Sequence, residues 1–231
     1  MEFIVDTLGN AFSVVAEFGP ELRKVLALTL WVSGSATIIG VCLGVPLGVA
    51  LGLGRFRGRG AVTALVNTGM GMPPVLAGLL LLMLLWNDGP LGSWGLLFTP
   101  AAMVAAQALL AVPIAAGVTA AGIRALSPDT REQLASLRLG RWTQGVVAAR
   151  EAWPAVVGAA AAAFGRVIAE VGAVLIVGGN IAGETRVLTT AIVQESRRAN
   201  FGTALGLGIV LLLLALFVNG VLTHFQLKEA T

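Results

Sequence analysis

The most distinctive chemistry in the sequence is a pair of opposite charges inside an apolar stretch. Arg166 and Glu170 are four residues apart, so on a helix they share one face and can pair. A charge at the centre of a membrane costs about 2.5–3.5 kcal/mol on insertion scales, which is tolerable only on a face that avoids lipid. Three interpretations stand: a structural ion pair between helices, a pair that lines or gates a pathway, or a stretch that does not span a membrane.

A polar segment follows this stretch and offers donors for an anion. Gly178, Gly179 and Asn180 are typical of the end of a helix. Hydroxyl and guanidinium groups come next, on Thr185, Arg186, Thr189 and Thr190. Together with backbone N–H groups, such side chains can receive an oxyanion that has lost its water. The alternative is an ordinary loop followed by a short interfacial helix.

The sequence lacks the patterns of covalent, metal-assisted or nucleotide chemistry. No stretch matches GxxxxGK[ST], so the chain has no phosphate-cradling loop. It has one histidine, His224, with no zinc-ligand spacing and no nucleophile elbow around any serine. We therefore assign no catalytic residue, no metal ligand and no cofactor to the chain. Work against a gradient would draw on a partner or on coupled ions.

The elements that must position these residues are built for a membrane. The chain of 231 residues is 57% hydrophobic and 12% charged, with a mean hydropathy of +0.89, whereas a soluble domain carries about 25% charged residues. A net charge of +3 gives no electrostatic footprint for nucleic acid. A hydrocarbon core of about 30 Å needs roughly 20 apolar residues as helix. The sequence thus predicts an all-α membrane protein with about five transmembrane helices, near residues 25–53, 72–86 (or from about 61), 101–122, 155–178 and 203–222.

Arginines set the expected orientation of these spans. Three lie in the loop at 55–60 and several in the polar segment at 127–154, whereas the loop at 87–99 has none. By the positive-inside rule the first and third loops are cytoplasmic, which puts the amino terminus outside and the carboxyl terminus inside. Residues 1–20 are too polar to span and are expected to form an amphipathic interfacial helix. Residues 21–222 form the transmembrane region, and 223–231 a cytoplasmic tail.

Glycines and prolines predict how the spans pack and break. One face of the first span is a smooth stripe of glycines at every fourth residue, which are Gly40, Gly44, Gly48 and Gly52. Another backbone can approach such a face closely, from a second helix of the same chain or from a second copy of it. Pro46 and Pro113 predict kinks, and the Pro73–Pro74 pair breaks or starts the second span.

Over nearly its whole length the sequence resembles the membrane permease subunits of bacterial ABC importers with the type I importer fold. Within that superfamily it is most similar to the tungstate permeases, which neighbour the molybdate and sulfate permeases. The longest stretches that carry the resemblance are FGRVIAEVGAVLIVGGNIAG at 164–183 and TRVLTTAI at 185–192. Shorter ones lie at 1–12, 67–74, 89–92 and 95–100.

The polar segment at 127–154, the polar island, is expected to form two short helices. It resembles the cytoplasmic coupling loop of this family, which we place at residues 123–154. Glu132 and Gln133 fit the start of its E-x-A pattern. Leu134 stands where a small alanine is usual, Arg138 where the glycine is usual, and Gly140 comes two residues late. The resemblance implies that these five residues belong to the coupling loop, which docks on an ATPase.

The resemblance also implies a mechanism and a set of partners. Two copies of this chain form the pore in the bilayer of the bacterial cytoplasmic membrane. Each coupling loop docks on one of two ATP-binding cassette subunits, which bind ATP and magnesium. An extracytoplasmic binding protein delivers the oxyanion, and closure of the ATPases rocks the spans so that access alternates. The candidates for the pathway or gate are Arg166, Glu170, Asn180, Thr185 and Arg186.

Three alternatives remain at this stage. Molybdate or sulfate are the substrate alternatives, since selectivity in such importers lies mostly in the binding protein. A stand-alone secondary transporter would use Arg166 and Glu170 as an ion relay, but the chain has no internal repeat. A purely structural membrane anchor would leave the prolines and the charged pair unexplained.

Overall fold

The structure, a computed structural model, describes residues 2–17, 19–54, 56–136 and 139–228. Over these residues the chain is helical, with short connections and one 3₁₀ turn at Gly92–Trp94. The helices are α1 (Glu2–Glu17), α2 (Pro20–Leu53), α3 (Arg59–Met70), α4 (Pro74–Leu85), α5 (Pro100–Ala125), α6 (Pro128–Ser136), α7 (Arg141–Glu151), α8 (Trp153–Ile168), α9 (Gly172–Gly178), α10 (Leu188–Arg197) and α11 (Phe201–Lys228).

The prediction of an all-α membrane protein is confirmed. In the described part of the chain, α2, α5 and α11 are long and apolar enough to cross a membrane. The number rises to five if α3 with α4, and α7 with α8, each count as one broken span. The break before α4 falls at Pro73, and Pro74 takes the first helical position, where its missing N–H costs nothing. The expected span at 155–178 is also divided, between α8 and α9.

The chain forms two compact units. The first unit comprises Met1–Ser35, Pro73–Gln107 and Ile168–Val218, and the second comprises Ala36–Met72, Ala108–Val167 and Asn219–Thr231. Helices α2, α5 and α11 each contribute residues to both units.

In the second unit, α2 and α5 are in backbone contact along the glycine stripe. A Cβ atom on Gly44 would lie 2.6 Å from the carbonyl oxygen of Val112, and one on Gly48 would lie 2.5 Å from that of Ala116. At the two ends of the stripe, Gly40 and Gly52 face the side chains of Ala111 and Ile123 of α5. The partner of the stripe is therefore a helix of the same chain, the first of the two interpretations. Helix α2 continues through Pro46.

In the first unit, the core joins the start of α2 to α10 and α11. Its buried apolar side chains are Leu22, Val25, Leu188, Ala191, Leu207 and Val210. Helices α4 and α9 also pack closely, since a Cβ atom on Gly78 would lie 2.7 Å from the Cα of Ala173. The N–H of Phe98 donates to the carbonyl of Val177, at 2.9 Å. These contacts hold α9 and α10 in place, and with them the polar segment that joins the two helices.

Helix α1 belongs to the first unit and is amphipathic. Ala11 is fully buried and Val15 packs against the core of that unit. Ile4, Leu8 and Phe12 are four residues apart and exposed, so they form an apolar stripe on the other side. The stripe agrees with an interfacial helix, whose place at the membrane surface stays a prediction. At the other end of the chain, α11 continues to Lys228, past the expected end of its span at residue 222.

The glycine stripe generates a prediction about stability. The change Gly44→Ala puts a methyl group against the backbone of α5, which cannot give way, and overpacking of this kind costs about 1–3 kcal/mol. The matched control is Gly34→Ala, in the same helix but with nothing within 4 Å of the new Cβ atom. We expect the first variant to unfold at a lower temperature in detergent and the control at the same or a higher temperature. Equal unfolding temperatures would contradict the contact.

Candidate functional site

The polar island forms two short helices, α6 and α7, as the sequence predicts. Residues 137 and 138 between them lie outside the described residues, and so does the predicted role of Arg138. Gly140 is the N-cap of α7, with φ −57° and ψ 149°. It therefore marks the start of the second helix without a left-handed conformation. At its other end, α7 meets α8 at an angle of 80°.

Leu134 packs the island against α2 and α5 within the second unit. Its side chain is only 4% exposed and lies in an apolar cluster with Val49 of α2, Ile123 of α5 and Ala148 of α7. The side-chain amide of Gln144 also donates to the carbonyl of Leu134, at 3.3 Å. The larger side chain at this position, where a small alanine is usual, thus serves as an anchor inside the unit. Its membership of the coupling loop stays a prediction.

The outer side of the island is open. Glu132 and Gln133 are exposed on α6. Trp142, in the first turn of α7, is 77% exposed, which is unusual for so large an apolar side chain. Reasoning from the sequence missed Trp142, although a tryptophan two residues after the helix-starting Gly140 was the available signal. Exposed tryptophans are enriched in contact surfaces with other proteins.

The expected geometry of Arg166 and Glu170 is wrong in one respect. Helix α8 ends at Ile168, so Glu170 lies in the break before α9 and does not share a helical face with Arg166. The carboxylate of Glu170 is 4% exposed and accepts the N–H of Ala173 in the first turn of α9, at 3.2 Å. A carboxylate at this position satisfies a free N–H group, and its negative charge interacts favourably with the positive end of the helix dipole. Glu170 thus has a structural role in starting α9, while the pathway role of both residues stays a prediction.

The segment between α9 and α10 is a tightly bonded turn. Helix α9 ends as predicted, with Gly179 in the left-handed conformation at φ 71°, and Asn180 follows at φ 53°. The carbonyl of Ile181 then accepts three backbone N–H groups, from Glu184 at 3.2 Å, Thr185 at 3.0 Å and Arg186 at 3.0 Å. Such bonding fixes the backbone of the turn without a regular helix.

The threonine hydroxyls hold the turn together. That of Thr185, 1% exposed, donates to the carbonyl of Gly178 and accepts the N–H of Ile181, at 2.9 Å. Thr190 bonds the backbone of Val187 in both directions, at 3.0 and 3.1 Å. The backbone groups at these positions would otherwise be buried without partners.

Thr189 completes this pattern by joining α10 to the break before α9. Its hydroxyl donates to the carbonyl of Glu170, at 2.9 Å, and the side chain is buried. The expectation that these three hydroxyls are offered to an anion is therefore corrected. They are buried and occupied by backbone groups, because the turn needs them to satisfy its own polar atoms.

Two side chains of the segment keep polar atoms without partners in the described part of the chain. The Nδ2 group of Asn180 donates to Oε1 of Gln194, at 2.6 Å, but its Oδ1 atom is buried and accepts no hydrogen bond. The Nε atom of Arg186 is likewise buried and donates to no acceptor. Of the five candidates for a pathway, Arg186 thus combines charge with unused hydrogen-bonding capacity.

Comparison with known proteins assigns the fold to a family. Residues 44–229 match the family of binding-protein-dependent transport system inner membrane components, and the chain belongs to this family. The fold agrees: a bacterial ABC transporter involved in the import of the acidic polysaccharide alginate superposes with a TM-score of 0.75 at 18% identity, over 94% of this chain and 83% of that one.

Two curated relatives are similar over almost the full length. A probable anion ABC transporter permease protein of Haloferax volcanii is 40% identical over 89% of this chain and 90% of its own. The tungstate uptake system permease protein TupB of Peptoclostridium acidaminophilum is 34% identical over 98% of this chain and 99% of its own. The chain is thus a permease of the ABC importer type, as its sequence predicted.

The bonded turn generates a second prediction. The change Thr185→Val keeps the shape of the side chain but leaves the Gly178 carbonyl and the Ile181 N–H without partners, which costs about 1–3 kcal/mol. Thr185→Ser keeps the hydroxyl and is the matched control. We expect faster hydrogen–deuterium exchange across residues 178–187 and a lower unfolding temperature in the valine variant, and near-native values in the serine variant. A valine variant as protected as the native protein would show that the hydroxyl does not hold the turn.

Proposed function

We propose that this chain is the membrane-spanning permease of an ATP-driven importer that carries tetrahedral oxyanions into the cell, with tungstate as the substrate. The observation that carries the proposal is similarity over almost the full length to permeases named for anions and for tungstate. Under this proposal the chain is a multi-pass protein of the bacterial cytoplasmic membrane, with its amino terminus outside and its carboxyl terminus inside.

The island of α6 and α7 is the surface that we assign to the ATPase. Its outer side presents Glu132, Gln133 and Trp142, and its inner side is fastened to α2 and α5 through Leu134. Ordered helices transmit force better than a flexible connection. A displacement of the island would therefore be passed to α2, whose Val49 lies in the same cluster.

The remaining partners follow from the same proposal. Two copies of the chain form the pore, and two ATP-binding cassette subunits bind ATP and magnesium, because this sequence has no phosphate-cradling loop. An extracytoplasmic binding protein delivers the oxyanion. This chain itself catalyses no reaction in this scheme.

Two alternatives are weaker. A molybdate or sulfate importer would use the same architecture, since these ions are tetrahedral dianions like tungstate. A secondary transporter would use Arg166 and Glu170 as an ion relay, but such transporters commonly carry repeated halves and this sequence has no internal repeat. Membership of a family of binding-protein-dependent systems also favours the ATP-driven importer.

Uptake by a reconstituted complex tests the proposed function. The permease would be co-expressed with an ATP-binding cassette subunit and an anion-binding protein from the same genome and placed in proteoliposomes. We expect uptake of tungstate that requires ATP and the binding protein, with molybdate as a competitor. Uptake of sulfate alone would favour the alternative substrate, and uptake driven by an ion gradient without ATP would overturn the proposal.

A charge reversal on the island tests the docking surface. Glu132→Arg places a cation on the exposed side of α6, and like charges facing a partner weaken association. We expect the amount of ATPase that co-purifies with the permease to fall by about tenfold, a loss of roughly 1.4 kcal/mol. Uptake should be lost while the variant remains folded in the membrane.

The control for this variant is Asp88→Arg, the same charge change in the exposed connection after α4. It should leave the co-purification with the ATPase unchanged. If Glu132→Arg also retains the ATPase and transports normally, Glu132 is not part of the docking surface.

A further inference from the structure

A cavity of about 680 Å³ lies in the first unit, and the residues that line it do not include those of the break before α9. Its walls are the first turns of α2 and the turn at residues 182–186. Four charged side chains line it, Glu21 and Lys24 from α2 and Glu184 and Arg186 from the turn. The volume is within the usual range of binding pockets for small ligands, about 300–1,000 Å³.

The two basic side chains are unpaired. Among the described residues, neither Lys24 nor Arg186 takes part in an ion pair or a side-chain hydrogen bond, whereas Arg198 in the same unit pairs with Glu195 at 3.1 Å. The Nε atom of Arg186 is buried as well. A buried charged donor without an acceptor is costly, so the side chain gains when an acceptor enters the cavity.

Both walls are held in place by backbone hydrogen bonds. The N–H of Arg186 donates to the carbonyl of Ile181, at 3.0 Å, within the tightly bonded turn. Thr29 of α2 also accepts the N–H of Leu188 at the start of α10, at 2.9 Å, and so joins α2 to the helix that follows the turn. The backbones that carry Lys24 and Arg186 are thus fixed before a ligand arrives, which lowers the entropy that binding costs.

The position of the cavity along α2 indicates the side from which a ligand enters. Helix α2 has 34 residues, which corresponds to a length of about 51 Å at about 1.5 Å per residue and exceeds the membrane core. Its first turns line the cavity. In the proposed orientation the amino terminus lies outside, so these turns begin at the outer face and a ligand enters the cavity from outside.

We infer that this cavity is an entry subsite for a tetrahedral oxyanion, held by the guanidinium of Arg186 and the ammonium of Lys24. The inference rests on the proposed function and adds a site to it. A guanidinium binds two oxygens of an oxyanion at once, and a lysine adds a point charge. The carboxylates of Glu21 and Glu184 line the same cavity and oppose the anion. The site therefore binds weakly and releases the ion readily, as passage into a pathway requires.

Direct binding of tungstate tests the subsite. The permease–ATPase complex in nanodiscs, without binding protein, would be dialysed against sodium tungstate, and bound tungsten measured by mass spectrometry. We expect Arg186→Ala and Lys24→Ala each to weaken binding by about tenfold, the loss expected for a hydrogen bond to a charged group. Glu184→Gln should strengthen binding, an effect that misfolding cannot produce. Arg198→Ala, which removes a cation outside the cavity, is the control and should bind normally.

The outcomes separate this inference from the proposed function. Unchanged tungstate binding in Arg186→Ala, with binding-protein-dependent uptake intact in the native complex, overturns the subsite alone. A second result would also overturn the subsite: Arg186→Ala binds tungstate normally, but its ATP hydrolysis no longer responds to the binding protein. The cavity would then be a surface that contacts that protein. Absence of ATP-driven oxyanion uptake in the native complex overturns the proposed function as well.

Discussion

In a lipid environment every backbone N–H and C=O group needs a partner within the protein, and this constraint organises the structure. Long helices satisfy these groups with their own backbone hydrogen bonds. The irregular backbone at 169–171 and 179–187 lacks the regular bonds of a helix, so buried side chains serve as partners there. Glu170 accepts an N–H of α9, Thr185 bonds both sides of the turn, and Thr189 ties the two irregular segments together. The polar side chains that look most like ligands in the sequence are thus largely structural.

The sequence predicts the architecture well where local patterns decide it. The apolar runs identify α2, α5 and α11, the polar composition of 127–154 identifies the island, and the proline pair at 73–74 identifies the break before α4. Glycines at every fourth residue predict a close helix contact, but only the structure identifies α5 as the partner. The identity of a packing partner depends on the tertiary fold, which a periodic pattern does not contain.

The errors of the sequence interpretation have a common physical cause. The run from Ala155 to Gly178 is mostly apolar and rich in good helix formers, so the sequence predicts a single span. The helix ends at Ile168 instead, where the side chain of Glu170 accepts the nearby N–H of Ala173 and Thr189, distant in sequence, donates to the carbonyl of Glu170. A contact between segments distant in sequence thus overrides the local helical preference at this break.

The glycine stripe fixes the axial register of α2 against α5 as well as the distance between the two helices. At Gly44 and Gly48 the opposing atoms include carbonyl oxygens of α5, so the surfaces of the two helices interlock. A slip of α2 by less than a full helical turn would drive its larger side chains into that backbone. Along this contact α2 and α5 can therefore move along their axes only together. A displacement at one end of the paired segment is passed to its other end.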